Sequence, residues 1–266
     1  SATTEGAFDR IDVLGTDGDL VTNIPLQHSA RFGYAFGEGL LVVGRTTRPH
    51  WQSHFTVIAR DFSTTTRSLP EEIQIERFAG TPEEMYFTLF GDAAVWRYLP
   101  AQRTLGAYVS LPGPMQLLGS KLYVIEREIG TPATNLVQID LRSESAKRVW
   151  PDAWRNRLAQ IAVVQSGALL VATEQDGELV HLIDASDGAL LSSTTIDDPR
   201  AIEQWGRCVL VTSEDSRQIS FFDVAERTLR PVTTWDVSGL GNKLRKARSL
   251  AVDPSNGRVY IRSKNE

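Results

Sequence analysis

The sequence predicts an all-β fold, a six-bladed β-propeller, and three observations support that prediction. They are a repeated four-strand unit, an aspartate that recurs at one place in the unit, and complementary half-units at the two ends of the chain. The clearest unit, residues 158–196, contains four runs of apolar and β-branched residues that are too short for helices. Turn sequences such as Ser166-Gly167 and Asp187-Gly188 separate the runs. Four antiparallel strands in about forty residues make one propeller blade.

The recurring aspartate closes the third strand of the unit. A short carboxylate at this place accepts hydrogen bonds from backbone N–H groups about two residues further on, which fixes the turn into the fourth strand. Because the aspartate recurs from unit to unit, we expect a structural rather than a catalytic role. The aspartates are Asp12, Asp61, Asp140, Asp184 and Asp223, and Tyr98 holds the remaining place.

The units follow one another along the chain and leave half a unit at each end. Full units occupy residues 30–70, 75–111, 114–149, 158–196 and 201–235. Residues 7–14 and 20–26 match only a third and a fourth strand, whereas residues 248–262 match only a first and a second. The two ends therefore complete a sixth blade and close the ring, which removes exposed sheet edges. We expect a single domain that spans residues 1–266.

Composition excludes several classes of partner and site. The net charge of −5 and the pI near 5.5 argue against binding to nucleic acid or to acidic membranes. No apolar run approaches the ~18 residues that a membrane span needs. Cys208 is the only cysteine, so an intrachain disulfide and a cysteine-based zinc site are excluded, and we expect a buried, inert thiol. The first residue is Ser1, which indicates a trimmed or matured chain; location stays open, with an extracytoplasmic (periplasmic or secreted) protein favoured over a cytoplasmic one.

The repeat resembles the bacterial YVTN-type and PQQ-type repeat propellers. The segment Ile183-Asp184-Ala185-Ser186-Asp187-Gly188 carries the resemblance, together with Trp150 and Trp235 near the ends of fourth strands. The resemblance covers all six units and implies the fold, but it implies nothing about a substrate. A single cysteine excludes the vicinal cysteine pair of many PQQ-dependent dehydrogenases.

A ligand of a propeller usually lies at one mouth of the central channel, and the sequence indicates which mouth. The loops from the second to the third strand, and from the fourth strand to the next blade, build one face and are the longer ones. First strands begin there with arginines, whose clustered guanidiniums are suited to a carboxylate or a phosphate. These arginines are Arg31, Arg77, Arg200 and Arg248.

The same face collects the other candidate ligand-binding residues. Loop 46–53 follows Arg45, contains His50 and Trp51, and is followed directly by His54. We expect a solvated loop here rather than a metal site that His50 and His54 share. Exposed tryptophans often anchor partners, which makes Trp51 and Trp154 candidate contact residues. Carboxylates also arrive on neighbouring loops and include Glu126, Glu174 and Glu214.

No nucleophile–base pair, metal cluster or phosphate loop is apparent, so the leading hypothesis is a non-catalytic binding or scaffolding module. It would recognise a protein partner or a small polar or anionic ligand at the mouth, without a cofactor. The alternative is a hydrolase, lactonase or lyase that acts on a sugar-like or anionic substrate. Similarity to gluconolactonase-like six-bladed enzymes would then imply a divalent metal held by Glu126, Glu174 and Glu214. A structural subunit of a larger assembly is the third possibility, and fold analogy alone does not choose among the three.

Overall fold

The fold is given by a computed structural model that describes most of the chain. The described residues are 10–36, 39–46, 52–69, 73–89, 94–99, 104–110, 113–127, 133–150, 154, 158–174, 177–213, 217–240, 250–253 and 257–263. Backbone alone is described at positions 31, 32, 36, 104–110, 166, 240, 262 and 263.

The first three full blades each contain four antiparallel strands, named here from the channel outwards. Blade 1 consists of β3 (Ser29–Phe36), β4 (Gly39–Thr46), β5 (Gln52–Ile58) and β6 (Thr64–Ser68). Blade 2 consists of β7 (Ile75–Gly80), β8 (Met85–Leu89), β9 (Ala94–Leu99) and β10 (Thr104–Ser110). Blade 3 consists of β11 (Met115–Leu118), β12 (Lys121–Arg127), β13 (Thr134–Asp140) and β14 (Ser145–Arg148).

The remaining blades have the same order, and the last one joins the two ends of the chain. Blade 4 consists of β15 (Leu158–Val164), β16 (Leu169–Glu174), β17 (Leu179–Asp184) and β18 (Leu190–Thr195). Blade 5 consists of β19 (Pro199–Trp205), β20 (Cys208–Ser213), β21 (Gln218–Ala225) and β22 (Thr228–Asp236). Blade 6 consists of β23 (Leu250–Asp253), β24 (Arg258–Ser263), β1 (Arg10–Leu14) and β2 (Leu20–Pro25). Short 3-10 turns lie at Gln165–Gly167 and Ser238–Leu240.

The six sheets form a closed ring. The inner strands contact one another in the order β3, β7, β11, β15, β19 and β23, and β23 contacts β3 again. In blade 6, β24 pairs with β1 in antiparallel register, so strands from both ends of the chain form one sheet. The predicted six-bladed propeller with a shared closing blade is therefore confirmed. None of the helical segments in the described part of the chain has the length and apolar character that a membrane crossing requires.

Apolar side chains between neighbouring blades form the core. The described residues contain a buried cluster at each of the six junctions between blades. At the closing junction, Ile11 and Val13 of β1 pack with Leu40 and Val42 of β4. The shared blade is thus held by apolar burial on its blade 1 side, and a second cluster joins it to blade 5.

Polar contacts strengthen the junction between blade 6 and blade 1. The guanidinium of Arg258 lies 4.7 Å from the centroid of the Phe62 ring, and it donates a hydrogen bond of 3.1 Å to the Arg60 carbonyl. An arginine stacked on an aromatic face adds a cation–π attraction. The ring is therefore closed by side chains of both termini and of blade 1.

The turn carboxylates act largely as expected. Asp61 accepts the backbone N–H of Ser63 at 3.0 Å, and Asp184 accepts that of Ser186 at 2.9 Å. Asp140 accepts backbone N–H groups two and three residues further on. The hydroxyls of Ser63 and Ser186, and then these N–H groups, hold the pKa of Asp61 and Asp184 below the ordinary value. For Asp140 the two backbone N–H groups are the main cause of a lowered pKa. At Asp61, Asp140 and Asp184 the predicted turn role is confirmed.

Asp12 and Asp223 differ from that prediction. Asp223 occupies the same register position as Asp140 and Asp184, opposite the first residue of the second strand, but its carboxylate lies 2.9 Å from Arg207. Asp12 lies in the middle of β1 opposite Ile261, fully buried, with its carboxylate 2.9 Å from Arg10. The turn prediction is wrong for Asp12, because an ion pair within the strand holds the carboxylate instead.

Trp150 and Trp235, near the ends of fourth strands, each pack against a turn of the following blade. A side chain added at Gly188 would lie 3.0 Å from the Trp150 ring, and one added at Gly18 would lie 3.0 Å from the Trp235 ring. Both glycines have positive φ, 80° and 88°, and belong to the turn between the third and fourth strands of the following blade. Each indole therefore covers a tight turn that only a glycine accommodates at this separation.

Candidate ligand-binding face at the channel mouth

We call the mouth the face at which the inner strands begin. Arg45, Glu126 and Glu174 lie at the ends of second strands on this face, and Arg200 lies near the start of β19. Trp154 lies between blades 3 and 4. Four further candidates lie outside the described residues, and only the backbone of Arg31 is described. The four are His50, Trp51, Glu214 and Arg248.

The inner-strand arginines do not share one register position. Each of four inner strands carries a β-bulge near its start, and the bulge includes Arg31 in β3 and Arg200 in β19. In β7 the residue in the bulge is Glu76, and Arg77 follows it, paired with Thr88. Arg200 lies 2.9 Å from Asp198 and is 39% exposed. Arg77 is therefore offset by one residue from the bulge that includes Arg31 and Arg200 in their strands.

A small cleft lies at the mouth between blade 1 and blade 2, with room for about one water molecule. Val43 and Ile75, both in the core between these blades, form its apolar base. Arg45, half-buried, lines the cleft on blade 1, and Gln74, exposed, lines it on blade 2. The lining is completed by Gly44, Gln52 and Ser53.

Hydrogen bonds to the crossover segment fix the wall of the cleft. The amide of Gln52 donates to the Leu69 carbonyl at 3.3 Å, and the hydroxyl of Ser53 donates to the Ile73 carbonyl at 2.5 Å. Both acceptors lie on the segment that joins blade 1 to blade 2. The cleft is therefore built by two blades whose positions are fixed relative to each other.

A histidine pair lies next to Gly44, on the opposite side of the blade 1 sheet from Arg45 and Ser53. The rings of His28 and His54 stack with centroids 5.6 Å apart and an interplanar angle of 9°. His28 is hydrogen-bonded to the Thr56 hydroxyl at 2.8 Å, and His54 to the Thr46 hydroxyl at 2.9 Å. Burial, and then the neighbouring His54, lower the pKa of His28 to about 4; burial also lowers the pKa of His54. His54 is thus engaged in a hydroxyl network.

Trp154 packs inward rather than standing free on the surface. Its backbone exchanges two hydrogen bonds with Thr134, of 2.6 and 2.9 Å. The half-buried indole lies 6.3 Å from the Trp150 ring and 5.6 Å from the His181 ring. The structure thus brings Trp154 and Glu174 together, because Glu174 lies 3.5 Å from the same imidazole.

Ser193, His181 and Glu174 form a hydroxyl–imidazole–carboxylate row. The Ser193 hydroxyl is hydrogen-bonded to Nδ1 of His181 at 2.9 Å, and Oε1 of Glu174 lies 3.5 Å from Nε2. Such an order is used in nucleophilic catalysis. Here the imidazole is only 4% exposed and Trp154 packs over it. We interpret the row as polar bonding that joins β16, β17 and β18.

The mouth carboxylates are held by separate partners. Glu126 pairs with Arg148 at 2.6 Å, on blade 3, while Glu174 lies against His181 on blade 4. No group of three His, Cys, Asp or Glu side chains suited to a metal ion occurs among the described residues. Glu126 and Glu174 therefore do not form a shared divalent-metal site in this arrangement.

The channel interior holds two polar residues that sequence reasoning missed. Tyr34 extends from blade 1 to blade 3, where its hydroxyl donates to the Leu117 carbonyl at 2.8 Å. Burial raises the pKa of Glu203, on blade 5, to about 8, and both burial and the charge of Glu203 raise the pKa of Tyr34. The signal available in the sequence was Glu203 within the strand segment Ala-Ile-Glu-Gln-Trp. A carboxylate in an inner strand must face the channel or a polar partner, because burying it without either is costly.

Cys208 differs in part from its expectation. It begins β20 and is half-buried, not buried, because it lies next to the turn that leads from the first to the second strand. Burial and then the nearby Asp223 raise the pKa of its thiol. The thiolate needed for reaction is therefore disfavoured at neutral pH.

Comparison with known proteins supports the fold alone. No family model matches the sequence, and no curated protein matches it. A chain of a nidogen/laminin complex matches with a TM-score of 0.63 and 6% identity, covering 87% of this chain and 94% of the other. Hydrazine synthase of Kuenenia stuttgartiensis matches at 0.60 and 12%, covering 98% and 97%. The WD40 repeats of RRP9 match at 0.59 and 12%, covering 93% and 86%. At these identities the chain shares the propeller fold of its structural neighbours, without a repeat family being shown.

Proposed function

We propose that the chain is a non-catalytic binding module that recognises a protein partner or a small anionic ligand at the channel mouth. The observation that carries the proposal is the placement of half-buried Arg45, Arg77 and Arg200 where strands begin or end at the mouth. Guanidinium groups clustered at one face suit recognition of an anionic group. Among the described carboxylates of this face, Glu126 pairs with Arg148 and Asp198 with Arg200.

The structural neighbours agree with a binding role without fixing the partner. One of them is part of a complex between two proteins, nidogen and laminin. Propellers present ligand sites on loops that a rigid scaffold of blades positions, which suits recognition. We propose the bacterial YVTN-type or PQQ-type repeat class as the origin of the blades, on the turn sequence around Asp184.

The test compares variants of the two faces in capture from an extract of source cells. Arg200→Ala, at the mouth, should reduce the amount of captured partner. If the bound group is anionic, the free energy of binding should become weaker by ~1.5–3 kcal/mol. Trp51→Ala should have the larger effect if the partner is a protein. Arg142→Gln, an exposed arginine in the turn after β13 on the opposite face, is the matched control and should bind like the unaltered chain. Binding lost only in Arg142→Gln would refute the proposal.

A hydrolase, lactonase or lyase is the second candidate, and one observation favours it. With its pKa raised to about 8, Glu203 keeps its proton at neutral pH, as a general acid does. A panel of sugar lactones and glycosides would show turnover that Glu203→Gln abolishes. A chelator that removed the turnover would add a divalent metal to this candidate, and an unaltered rate in Glu203→Gln would dismiss Glu203 as the acid.

A further inference from the structure

The row of Ser193, His181 and Glu174 ends at the surface of blade 4. The imidazole is buried, but Ser193 is exposed on β18, the outermost strand of its sheet. Its hydroxyl lies 2.9 Å from Nδ1 of His181, and Oε1 of Glu174 lies 3.5 Å from Nε2. A nucleophile must be accessible to its reagent, whereas its base needs to reach only the hydroxyl. The burial of His181 therefore leaves the Ser193 hydroxyl able to meet a reagent.

Strand pairing places the backbone N–H of Ser193 on the open side of β18. Ile196 donates to the Glu178 carbonyl at 2.9 Å, and residue pairs of antiparallel strands alternate between hydrogen-bonded and non-hydrogen-bonded. His181 and Ser193 are paired three steps further along, so they form a non-hydrogen-bonded pair. Side chains of such a pair lie close together, and the N–H of Ser193 points away from β17. This N–H can therefore donate to negative charge that develops on an oxygen beside the hydroxyl.

Blade 1 contains an equivalent row in which a hydroxyl replaces the carboxylate. Ser68 pairs with His54, and its hydroxyl lies 3.0 Å from Nδ1 of that ring. The Thr46 hydroxyl lies 2.9 Å from Nε2. Thr46 and Glu174 each lie two residues beyond the partner of their histidine in the second strand. The serine–histidine pair is thus shared by both blades, and the group next to Nε2 is what differs.

The group next to Nε2 decides which ring nitrogen carries the proton. An ionised carboxylate only accepts hydrogen bonds, so Glu174 favours the neutral tautomer with its hydrogen on Nε2 of His181. Nδ1 then accepts the hydroxyl proton of Ser193 and is positioned to remove it. A hydroxyl such as that of Thr46 can donate or accept, which leaves both tautomers open in blade 1. We therefore expect the serine of blade 4 to be the more reactive one.

We propose that Ser193 is an acyl-accepting serine that takes the acyl group of an activated ester, with His181 as its base and Glu174 as the positioning residue. The hydroxyl oxygen bonds to the carbonyl carbon while its proton passes to Nδ1. The bond from the carbonyl carbon to the leaving oxygen breaks, the leaving group departs with the electron pair, and the proton follows it through solvent. A Ser193 ester remains.

The burial of the imidazole narrows the substrate class. A buried His181 gives a departing oxygen little help with its proton, so the ester must have a weakly basic leaving group. One acyl group is transferred to each chain, so the reaction is a modification of the chain rather than a turnover. It takes place at the outer rim of blade 4 and goes beyond the recognition proposed for the mouth.

The experiment treats the full chain with p-nitrophenyl acetate and follows the acetylated residues by peptide mass spectrometry. Ser193 should acquire an acetyl group about a hundredfold faster than Ser68, the lower end of the range for a positioned base. Ser193→Ala should lose this modification. Ser68→Ala, an exposed serine beside a histidine in blade 1, is the matched control and should leave acetylation of Ser193 at the unaltered rate.

Two exchanges at the Nε2 position separate activation from a merely structural role. Glu174→Thr gives blade 4 the row of blade 1 and should slow acetylation of Ser193 roughly tenfold, part of the ~10²–10⁴ that a positioned base contributes. Urea unfolding of the variant shows whether it is folded. Thr46→Glu makes the converse exchange and should accelerate acetylation of Ser68, which keeps the test valid if Glu174→Thr fails to fold.

Three results would overturn the inference. They are a Ser193 that stays unmodified, equal rates at Ser193 and Ser68, and exchanges at the Nε2 position that leave both rates unaltered. Capture by the mouth face is measured separately with Arg200→Ala and Arg142→Gln, so either proposal can fail without the other.

Discussion

His28 couples folding to pH at the scale of a single residue. Its pKa is about 4 in the folded chain against an ordinary value of 6.5, so the unfolded chain binds more protons between these values. The stabilisation is therefore complete above pH ~6.5 and is lost as the pH falls towards 4. At ~1.4 kcal/mol for each pKa unit, the loss is on the order of 3 kcal/mol.

The prediction is measured by urea unfolding at several pH values between 7 and 4.5. His28→Gln should remove the His28 part of the dependence in this window, which is read as the difference between the two chains. His54, whose pKa burial lowers, acts in the same direction as His28, whereas Glu203, whose pKa burial raises to about 8, acts in the opposite direction in both chains. Carboxyls whose pKa is held below the ordinary 3.8, such as Asp61 and Asp140, lose their contribution only at lower pH. A His28→Gln chain with the same pH dependence as the unaltered chain would contradict this assignment.

Cys208 provides a second prediction at the residue scale. Because burial and Asp223 raise the pKa of its thiol, the folded chain should react with a thiol reagent more slowly than the chain in urea. Cys208→Ala should cost about 1 kcal/mol and leave binding intact. Equal labelling rates in the folded and unfolded chains would show that the thiol is not protected.

At the scale of elements, the contact between Trp150 and Gly188 joins blades 3 and 4. Gly188→Ala should cost ~1–2 kcal/mol for the left-handed backbone and a further ~1–3 kcal/mol because the new methyl group meets the indole. Gly119→Ala is the matched control, with a φ of 59° and no neighbouring atom within 4 Å of the added carbon. Denaturant unfolding of both variants measures the difference. Equal losses would mean that the indole does not support the turn.

Strands and blade order were predictable from the sequence because they depend on local patterns. The unit around Asp184 shows its strands and turns within forty residues, and Asp140 repeats it in register. The role of Asp12 was predicted wrongly because its strand pairs with β24, some 250 residues away in the sequence. The register of that pairing cannot be read from the residues around Asp12. The bulge that offsets Arg77 from Arg200 is also a property of strand pairing.

The candidate site was predictable as a face but not as a cleft. The longer loops indicated the mouth, and Arg45 and Glu174 do lie there. The cleft depends on the approach of Gln74 on blade 2 to Arg45 on blade 1, and a linear pattern does not contain that approach. The effect of the Glu203 charge on the pKa of Tyr34 likewise links blade 5 to blade 1.

At the scale of the whole molecule, the mouth exists only if the ring is closed. We propose that residues 1–266 form one domain that unfolds in a single transition. Each junction contributes a buried apolar cluster, and opening one of them exposes the neighbouring blades. The shared blade is therefore the element on which the channel, the cleft and the stability of the chain all depend.

The most direct test of this account removes residues 1–26 and compares urea unfolding of the shortened chain with that of the full chain. Loss of core residues such as Ile11, Val13 and Leu14 should lower the free energy of unfolding by more than about 3 kcal/mol. Adding a peptide of residues 7–26 should restore stability, whereas the same peptide with Val13→Asp should not. A shortened chain that unfolds at the same urea concentration as the full chain would contradict the shared closing blade and the mouth that depends on it.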